Sequence, residues 1–305
     1  GKVVKNITTN GWERGDSLIS VNQLGKGPES WHALNIPTAS VFDYGDAVPT
    51  AVASNAYYND ILYDGFEGIE YFISRVVPSG TNCKYANHGK FSATTSIAGY
   101  DINNLYDKDI SHSGLSSVKL EDGYTAEMYY PVGVRSTLRG NKASRLEGRV
   151  FTSTKSDLIT GFSPRAGEKY IFSTWVYKDQ PTVSTYTGCQ VVIDGITFLP
   201  SGPIIDGWQQ IKGEFTPRAA NIYIILKPAL ETTWFDDFRI QPQSGQMETY
   251  TYSSDNLRYM AKHDDQNYTS YFEYDSEGKL IRRKQETEVG VFTIMDARNE
   301  LPKLN

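Results

Sequence analysis

The chain has 305 residues, enough for one large or two ordinary domains, and carries a formal net charge of −6. The negative charge argues against nucleic-acid binding, because proteins that bind nucleic acids normally present a basic face. No run of apolar residues approaches the roughly 20 that a membrane-spanning helix needs, so we expect no transmembrane segment. The chain starts Gly-Lys-Val-Val without a signal-peptide h-region, and we expect it to be a fragment of a longer protein.

The first segment, residues 1–57, is rich in Gly, Asn, Ser and Pro and contains only short apolar patches, at 39–42 and 48–52. Clusters of these residue types are typical of loops. We therefore expect irregular chain with a few short strands, forming the tail of an upstream unit.

The second segment, residues 58–242, has the pattern of an all-β fold. Its strand-like stretches are 116–120, 170–177, 190–194, 208–215 and 221–226. Gly, Pro and Asp turn signals separate them, and helical periodicity is nearly absent. Many short strands with turns between them predict a β-sandwich or jelly roll. The sequence leaves open whether Cys83 and Cys189 form a disulfide.

Four landmarks in this segment resemble, in order, the jelly rolls of carbohydrate-binding modules and galactose-binding-like domains. Tyr63-Asp-Gly-Phe-Glu-Gly is similar to their opening strand, and His112-Ser-Gly-Leu-Ser-Ser-Val-Lys-Leu to a His-x-Gly-x-x-Ser strand. The stretch 162–176 is similar to their segment ending in Trp-Val. The stretch 208–215, followed by Phe235-Asp-Asp-Phe, completes their order. The resemblance implies a carbohydrate-binding-module-like β-sandwich.

The third segment, residues 243–305, resembles YD repeats of the Rhs type. Tyr271-Phe-Glu-Tyr-Asp-Ser-Glu-Gly-Lys-Leu is similar to the repeat Tyr-x-Tyr-Asp-x-x-Gly-Arg-Leu, with Lys279 in place of the usual Arg. A degenerate copy lies at 250–257. Each such repeat is a β-hairpin that cannot bury its own apolar face. With only two copies, we expect this segment to pack onto the sandwich.

A sandwich followed by YD repeats also resembles the C-terminal region of very large surface proteins that gliding bacteria export through the type IX secretion system. The resemblance implies an extracellular or outer-cell-surface location and the type IX secretion machinery as a partner. Since no conventional sorting domain is visible, we expect that machinery to recognise 243–305. The predicted function is a non-catalytic adhesion or interaction module, with a free-standing glycan-binding module as the alternative.

Three carboxylates are the predicted metal ligands: Glu67, Asp236 and Asp237. In the resembled jelly rolls a structural Ca²⁺ lies where the Glu of the opening strand meets the Asp residues of the final strand. Ca²⁺ takes hard oxygen donors, and it would relieve the repulsion between adjacent carboxylates. The alternative is that both aspartates lie in a bulge and accept hydrogen bonds from nearby backbone amides.

Exposed aromatic rings could form a platform on which a sugar ring stacks. The candidate glycan-binding residues are Trp234, Tyr129, Tyr130 and Tyr186. We expect Trp175 and Trp208 to be core residues instead, because similar sandwiches have core aromatic residues at these positions.

One motif suggests an enzyme. Gly15-Asp-Ser-Leu matches the nucleophile block of GDSL-type esterases, and Asp109-Ile-Ser-His resembles their Asp-x-x-His block. A nucleophilic Ser needs a base that is oriented by an acid. Here the motif follows a polar stretch that is not strand-like, and the βαβ periodicity of that fold is missing. We therefore predict no enzyme and keep the esterase as a remote alternative.

Overall fold

The computed structural model describes residues 17–20, 26–32, 34–67, 92–95, 106–133, 161–180 and 182–297. Apart from one 3₁₀ turn at Tyr58–Asp60, the regular elements of these ranges are all β-strands. The first half contains β1 Ser17–Ser20, β2 Glu29–Trp31, β3 Pro37–Asp43, β4 Val48–Ser54, β5 Leu62–Asp64, β6 Ser92–Thr95, β7 Tyr106–Asp107, β8 Ser117–Leu120, β9 Tyr124–Pro131 and β10 Tyr170–Tyr177. The second half contains β11 Gln190–Ile193, β12 Ile196–Phe198, β13 Pro200–Ile205, β14 Trp208–Phe215, β15 Asn221–Lys227, β16 Thr233–Pro242, β17 Gln246–Tyr252, β18 Tyr259–His263, β19 Thr269–Tyr274, β20 Leu280–Thr287 and β21 Gly290–Asp296.

Two of the three sheets form a sandwich. The five-stranded sheet has the order β12-β11-β15-β9-β6, and the seven-stranded sheet the order β13-β14-β10-β16-β8-β7, with β5 also paired to β16. Inward-facing side chains of both sheets form one hydrophobic core. In β15, for example, Ile222, Ile224 and Leu226 are fully buried, whereas Tyr223 between them is exposed. The predicted all-β sandwich is therefore confirmed.

The third sheet joins the two ends of the chain. Its order is β1-β2-β3-β4-β17-β18-β19-β20-β21, so the first segment and the last segment meet where Ala53 of β4 pairs with Met247 of β17. In β3 the side chains of Ala39 and Val41 alternate inward and are buried. Residues 37–54 thus form a regular hairpin whose strands contain the apolar patches 39–42 and 48–52, and a strand from the other end of the sequence completes their sheet. The division of the chain at 57 and 242 stays a prediction.

Strands of the nine-stranded sheet pack against the outer face of the seven-stranded sheet and form a third layer there, with His263 of β18 in contact with Asp237 and Glu286 of β20 in contact with His112. All ten residues of β16 are buried, although the strand includes Asp236, Asp237 and Arg239. A second cluster of buried rings, Trp175, Trp208 and Trp234, lies on this outer face. The C-terminal strands therefore pack onto the sandwich, as the sequence predicts.

The structure also describes one of the two cysteines. Cys189 is a buried free thiol, and burial raises its pKa to about 11. Cys83 lies outside the described residues. In the part of the chain that the structure describes, no helix has the length and apolarity needed to cross a bilayer.

Candidate functional sites

The two adjacent aspartates of β16 lie in a β-bulge. Trp175 of β10 pairs with Asp236, whereas Ser173, two residues earlier, pairs with Arg239, three residues further along β16. One strand therefore has an extra residue, which defines a bulge. Asp237 has φ of 49°, in the left-handed region that Asp tolerates better than most residues.

The bulge brings two consecutive carboxylates to the same face. Phe235 and Phe238 both point into the core of the sandwich. In a regular strand, residues three apart would point to opposite faces. Because of the extra residue, both phenylalanines face the core, and Asp236 and Asp237 both lie between the sandwich and the nine-stranded sheet.

Asp236 fixes the turn that precedes β8. Its Oδ2 accepts hydrogen bonds from the backbone N–H groups of His112, at 2.7 Å, and Ser113, at 3.2 Å. Its Oδ1 accepts the N–H of Asp237 at 2.7 Å. Burial, followed by the charges of Asp237 and Glu67, raises the pKa of Asp236 well above its ordinary value.

Glu67 binds the other end of the same turn. Its Oε1 accepts the N–H groups of Leu115, at 2.6 Å, and Ser116, at 2.7 Å. Gly114, which directly precedes Leu115, has φ of 66°, and a Cβ at this position would lie 2.3 Å from Glu67 Oε1. Only glycine fits here, since the turn must wrap closely around the carboxylate.

These contacts decide how well the three predicted ligands fit a calcium ion. Glu67 and Asp236 offer hard, buried oxygens that repel one another, which is the donor chemistry of a Ca²⁺ site. Asp236 also accepts backbone amides in the bulge, as the alternative expects of both aspartates, and Glu67 accepts backbone amides as well. Asp237 fits the ion less well, because its two oxygens contact four side chains.

Asp237 is the centre of a buried polar cluster. Its Oδ2 lies 2.8 Å from His112 Nδ1 and 3.1 Å from His263 Nε2. Its Oδ1 accepts hydrogen bonds from Tyr63 Oη, at 3.0 Å, and Ser113 Oγ, at 2.9 Å. Burial alone would raise the pKa of Asp237, but His263 and His112 lower it below its ordinary value.

His112 connects this cluster to the nine-stranded sheet. Its Nε2 lies 3.0 Å from Glu286 Oε1 of β20, and its ring stacks on Trp175 with centroids 4.4 Å apart. Burial alone would lower the pKa of His112, but the charge of Glu286 and the hydrogen bond to Asp237 raise it to about 9.

The esterase alternative requires Ser17 and His112 to meet, and the structure does not bring them together. Ser17 lies in β1, at the edge of the nine-stranded sheet. His112 contacts Glu286 of β20 in the other half of that sheet. Six strands lie between β1 and β20, so the path along the sheet is about 34 Å at ~4.8 Å per strand. The two ring nitrogens of His112 instead contact the carboxylates of Asp237 and Glu286.

A second polar contact between the layers is made by Arg239. This buried guanidinium donates to Ser173 Oγ at 3.1 Å and to the carbonyl of Met247 at 3.3 Å. It also donates to the carbonyls of Asp264 and Asp265, in the turn between β18 and β19. One side chain of the sandwich thus binds two parts of the C-terminal segment.

The predicted glycan-binding residues fall into two groups. Trp234 is 8% exposed and donates its Nε1 proton to Asp107 Oδ2, and Tyr186 is 3% exposed with its hydroxyl bonded to two carbonyls. Neither fits a stacking role, because the adjoining chain covers both. Tyr130 packs edge-on against Phe162 on the side of the core.

Tyr129 is the candidate that remains exposed, and it has a partner. It pairs across β9 and β15 with Tyr223, and the two rings are 4.9 Å apart. Tyr129 is 53% exposed and Tyr223 is 54% exposed. Glu127 and Asn221 lie two residues from these rings, on the same outer face of the five-stranded sheet.

A cavity of about 260 Å³ lies elsewhere, between the sandwich and the C-terminal segment. Its lining includes Trp175, Gln210, Lys212, Tyr268 and Glu288. It is a second place where an aromatic ring and polar groups converge.

Several residues of these sites are missing from the sequence-based prediction, and four of them matter most. They are Tyr223, Arg239, His263 and Glu286. Strand alternation could have revealed Tyr223, because its neighbours Ile222 and Ile224 face the core. No local signal marks His263 or Glu286, since their partners lie in a different segment.

Comparison with known proteins adds little. No protein-family model matches the sequence, and no curated protein sequence is similar to it. Among solved structures, a family 16 carbohydrate-binding module is 14% identical, with a TM-score of 0.25, over 44% of this chain and 82% of that one. A Clostridium thermocellum xylanase 10B structure with CBM22-1 and GH10 modules is 8% identical, with a TM-score of 0.28, over 62% of this chain and 27% of that one. Likenesses this weak assign no function.

Proposed function

We propose that this chain is a non-catalytic extracellular module that binds a glycan on the outer face of its five-stranded sheet. The observation that carries the proposal is the exposed pair of Tyr129 and Tyr223. Exposed aromatic residues grouped on one surface are typical of interaction sites. Glycan binding at this surface would be the means by which the module adheres.

The chemistry of this face suits a sugar. The flat tyrosine rings offer apolar surfaces for the C–H groups of a pyranose, and their hydroxyls add hydrogen-bonding groups. The flanking Glu127 and Asn221 place a carboxylate and an amide where sugar hydroxyls could bind. A few polar groups around an apolar contact surface are what ligand sites use to fix orientation.

The test is binding of the whole chain to a panel of immobilised oligosaccharides. The whole chain is needed because β4 and β17 pair across the two outer segments. We expect retention on one structural class of glycan. If the folded chain is retained by none of a broad panel, the proposal is wrong.

We propose further that calcium stabilises the chain through Glu67 and Asp236. Both carboxylates are buried at the turn before β8, the charge of Glu67 raises the pKa of Asp236, and a cation would offset this repulsion. At a hundredfold excess over Kd, binding would add about 2.7 kcal/mol to the free energy of unfolding.

The calcium prediction is checked by melting curves of metal-stripped protein with and without millimolar Ca²⁺. We expect a higher midpoint with Ca²⁺ and no such rise in Glu67→Gln, which keeps the shape of the side chain but removes its charge. Midpoints that coincide for the unmodified chain would exclude the calcium site.

Export by the type IX secretion machinery is a further proposal, and it is supported by the sequence resemblance of residues 243–305. Since β17 pairs with β4, that segment is tested within the whole chain. We expect a periplasmic reporter fused to 1–305 to reach the surface of a type IX-competent host. It should stay in the periplasm when the machinery is deleted. Equal export by the deletion strain contradicts the proposal.

A further inference from the structure

The buried cluster around Asp237 has the donor set of a transition-metal site. His112 Nδ1, His263 Nε2 and an oxygen of Asp237 all lie within 4.8 Å of one another. All three side chains are buried. His263 Nε2 faces Asp237 Oδ2 at 3.1 Å without being aligned for a hydrogen bond. Two neighbouring ligand atoms of one metal ion face each other in the same way.

The outer nitrogen of each imidazole is already held by a partner. His112 Nε2 lies 3.0 Å from Glu286 Oε1, and His263 Nδ1 lies 2.9 Å from Thr249 Oγ1. A bound metal would displace the proton that His112 Nδ1 shares with Asp237. With a proton on each outer nitrogen, the inner nitrogen of each ring would then offer its lone pair to the metal. Metal-binding histidines almost always donate their second N–H to a carboxylate or another acceptor, which fixes the tautomer and ring orientation.

The spacing is also close to that of a bound ion. Two ligand atoms, each ~2.0–2.1 Å from Zn²⁺ at a tetrahedral angle, are about 3.3 Å apart. The two nitrogen-to-oxygen distances here are 2.8 and 3.1 Å. Lengthening these two distances by a few tenths of an ångström would match that spacing, and the two imidazole nitrogens, which lie within 4.8 Å of each other, would have to reach it as well. Two imidazole nitrogens and one carboxylate oxygen favour Zn²⁺ over Ca²⁺, which prefers oxygen ligands.

We propose that His112, His263 and Asp237 form a buried structural site for a divalent transition metal of the zinc class. The site joins two layers, since His112 and Asp237 belong to the sandwich and His263 belongs to β18 of the nine-stranded sheet. A bound metal clips the C-terminal segment to the sandwich. This inference is independent of glycan binding and of the calcium proposal.

The test uses the full chain without a polyhistidine tag, stripped of metal and then titrated with Co²⁺ and with Zn²⁺. We expect one Co²⁺ per chain, with a visible absorption band that differs from that of aqueous cobalt. Added Zn²⁺ should abolish this absorption, whereas excess Ca²⁺ should leave it unchanged. His263→Gln should lose the absorption, and the matched control His32→Gln, at an exposed histidine, should retain it.

The outcomes separate the metal site from a hydrogen-bonded network. If the folded, unmodified chain shows no Co²⁺ absorption and retains no zinc, the cluster is held together by hydrogen bonds and ion pairs alone, and the proposal is overturned. Undiminished absorption in His263→Gln also overturns it, because the metal would then lie elsewhere. Should His263→Gln fail to fold, the titration of the unmodified chain decides by itself.

Discussion

Replacing Arg239 by Ala is expected to lower the free energy of unfolding by about 3–5 kcal/mol. The guanidinium is 3% exposed and donates to Ser173 and to three carbonyls of the C-terminal segment. Its loss leaves the backbone carbonyls of Asp265 and Met247 without this buried donor. Burial lowers the pKa of Arg239 to about 10, which still keeps the side chain charged at neutral pH.

Urea unfolding followed by fluorescence measures this change. Arg218→Ala is the matched control, because this arginine is exposed, and its replacement should alter the free energy by less than about 0.5 kcal/mol. If Arg239→Ala costs no more than the control, Arg239 does not hold the layers together.

The second large effect is expected at the tyrosine pair. Tyr129→Ala or Tyr223→Ala should each weaken glycan binding by about 30-fold, since an aromatic hot spot at an interface contributes about 2 kcal/mol. The double variant should bind too weakly to measure. Because both rings are exposed, the free energy of unfolding should change by less than about 1 kcal/mol.

Calorimetric titration with a glycan retained on the panel gives these affinities. Val289→Ala is the control, because this side chain is 83% exposed at the turn between β20 and β21, far along the sequence from the tyrosines. Unchanged affinity in the double variant would place the binding site elsewhere.

Local pattern was enough to predict the sandwich. The predicted stretches 170–177 and 208–215 are strands β10 and β14, and they pair along their whole length. Their aromatic and β-branched residues favour strands in any context that buries one face. The alternation in β15 likewise follows from its sequence.

The same reasoning could not predict how the strands of the first segment pair with the last one. The strands β3 and β4 rely on small residues such as Ala39, Ala51 and Ala53, which have weak strand propensity. Their sheet is completed by β17, whose Met247 follows Ala53 by almost two hundred residues. Nothing in the local sequence identifies so distant a partner.

Tertiary packing explains why two candidate glycan-binding residues are buried. A strand pattern shows which residues alternate, but it does not show what covers the outer face. Trp234 packs against Tyr177 and donates a hydrogen bond to Asp107, which lies 127 residues earlier in the chain. The presence of Asp236, Asp237 and Arg239 in a fully buried strand was the available clue, because buried charges need partners.

The most direct test of the proposed binding face is hydroxyl-radical footprinting of the whole chain, with and without a bound glycan, read by mass spectrometry. The account predicts that glycan slows the labelling of Tyr129 and Tyr223 and leaves the exposed references Leu230 and Val289 unchanged. Protection of Tyr268, which lines the cavity between the layers, with no protection of the tyrosine pair, would contradict it.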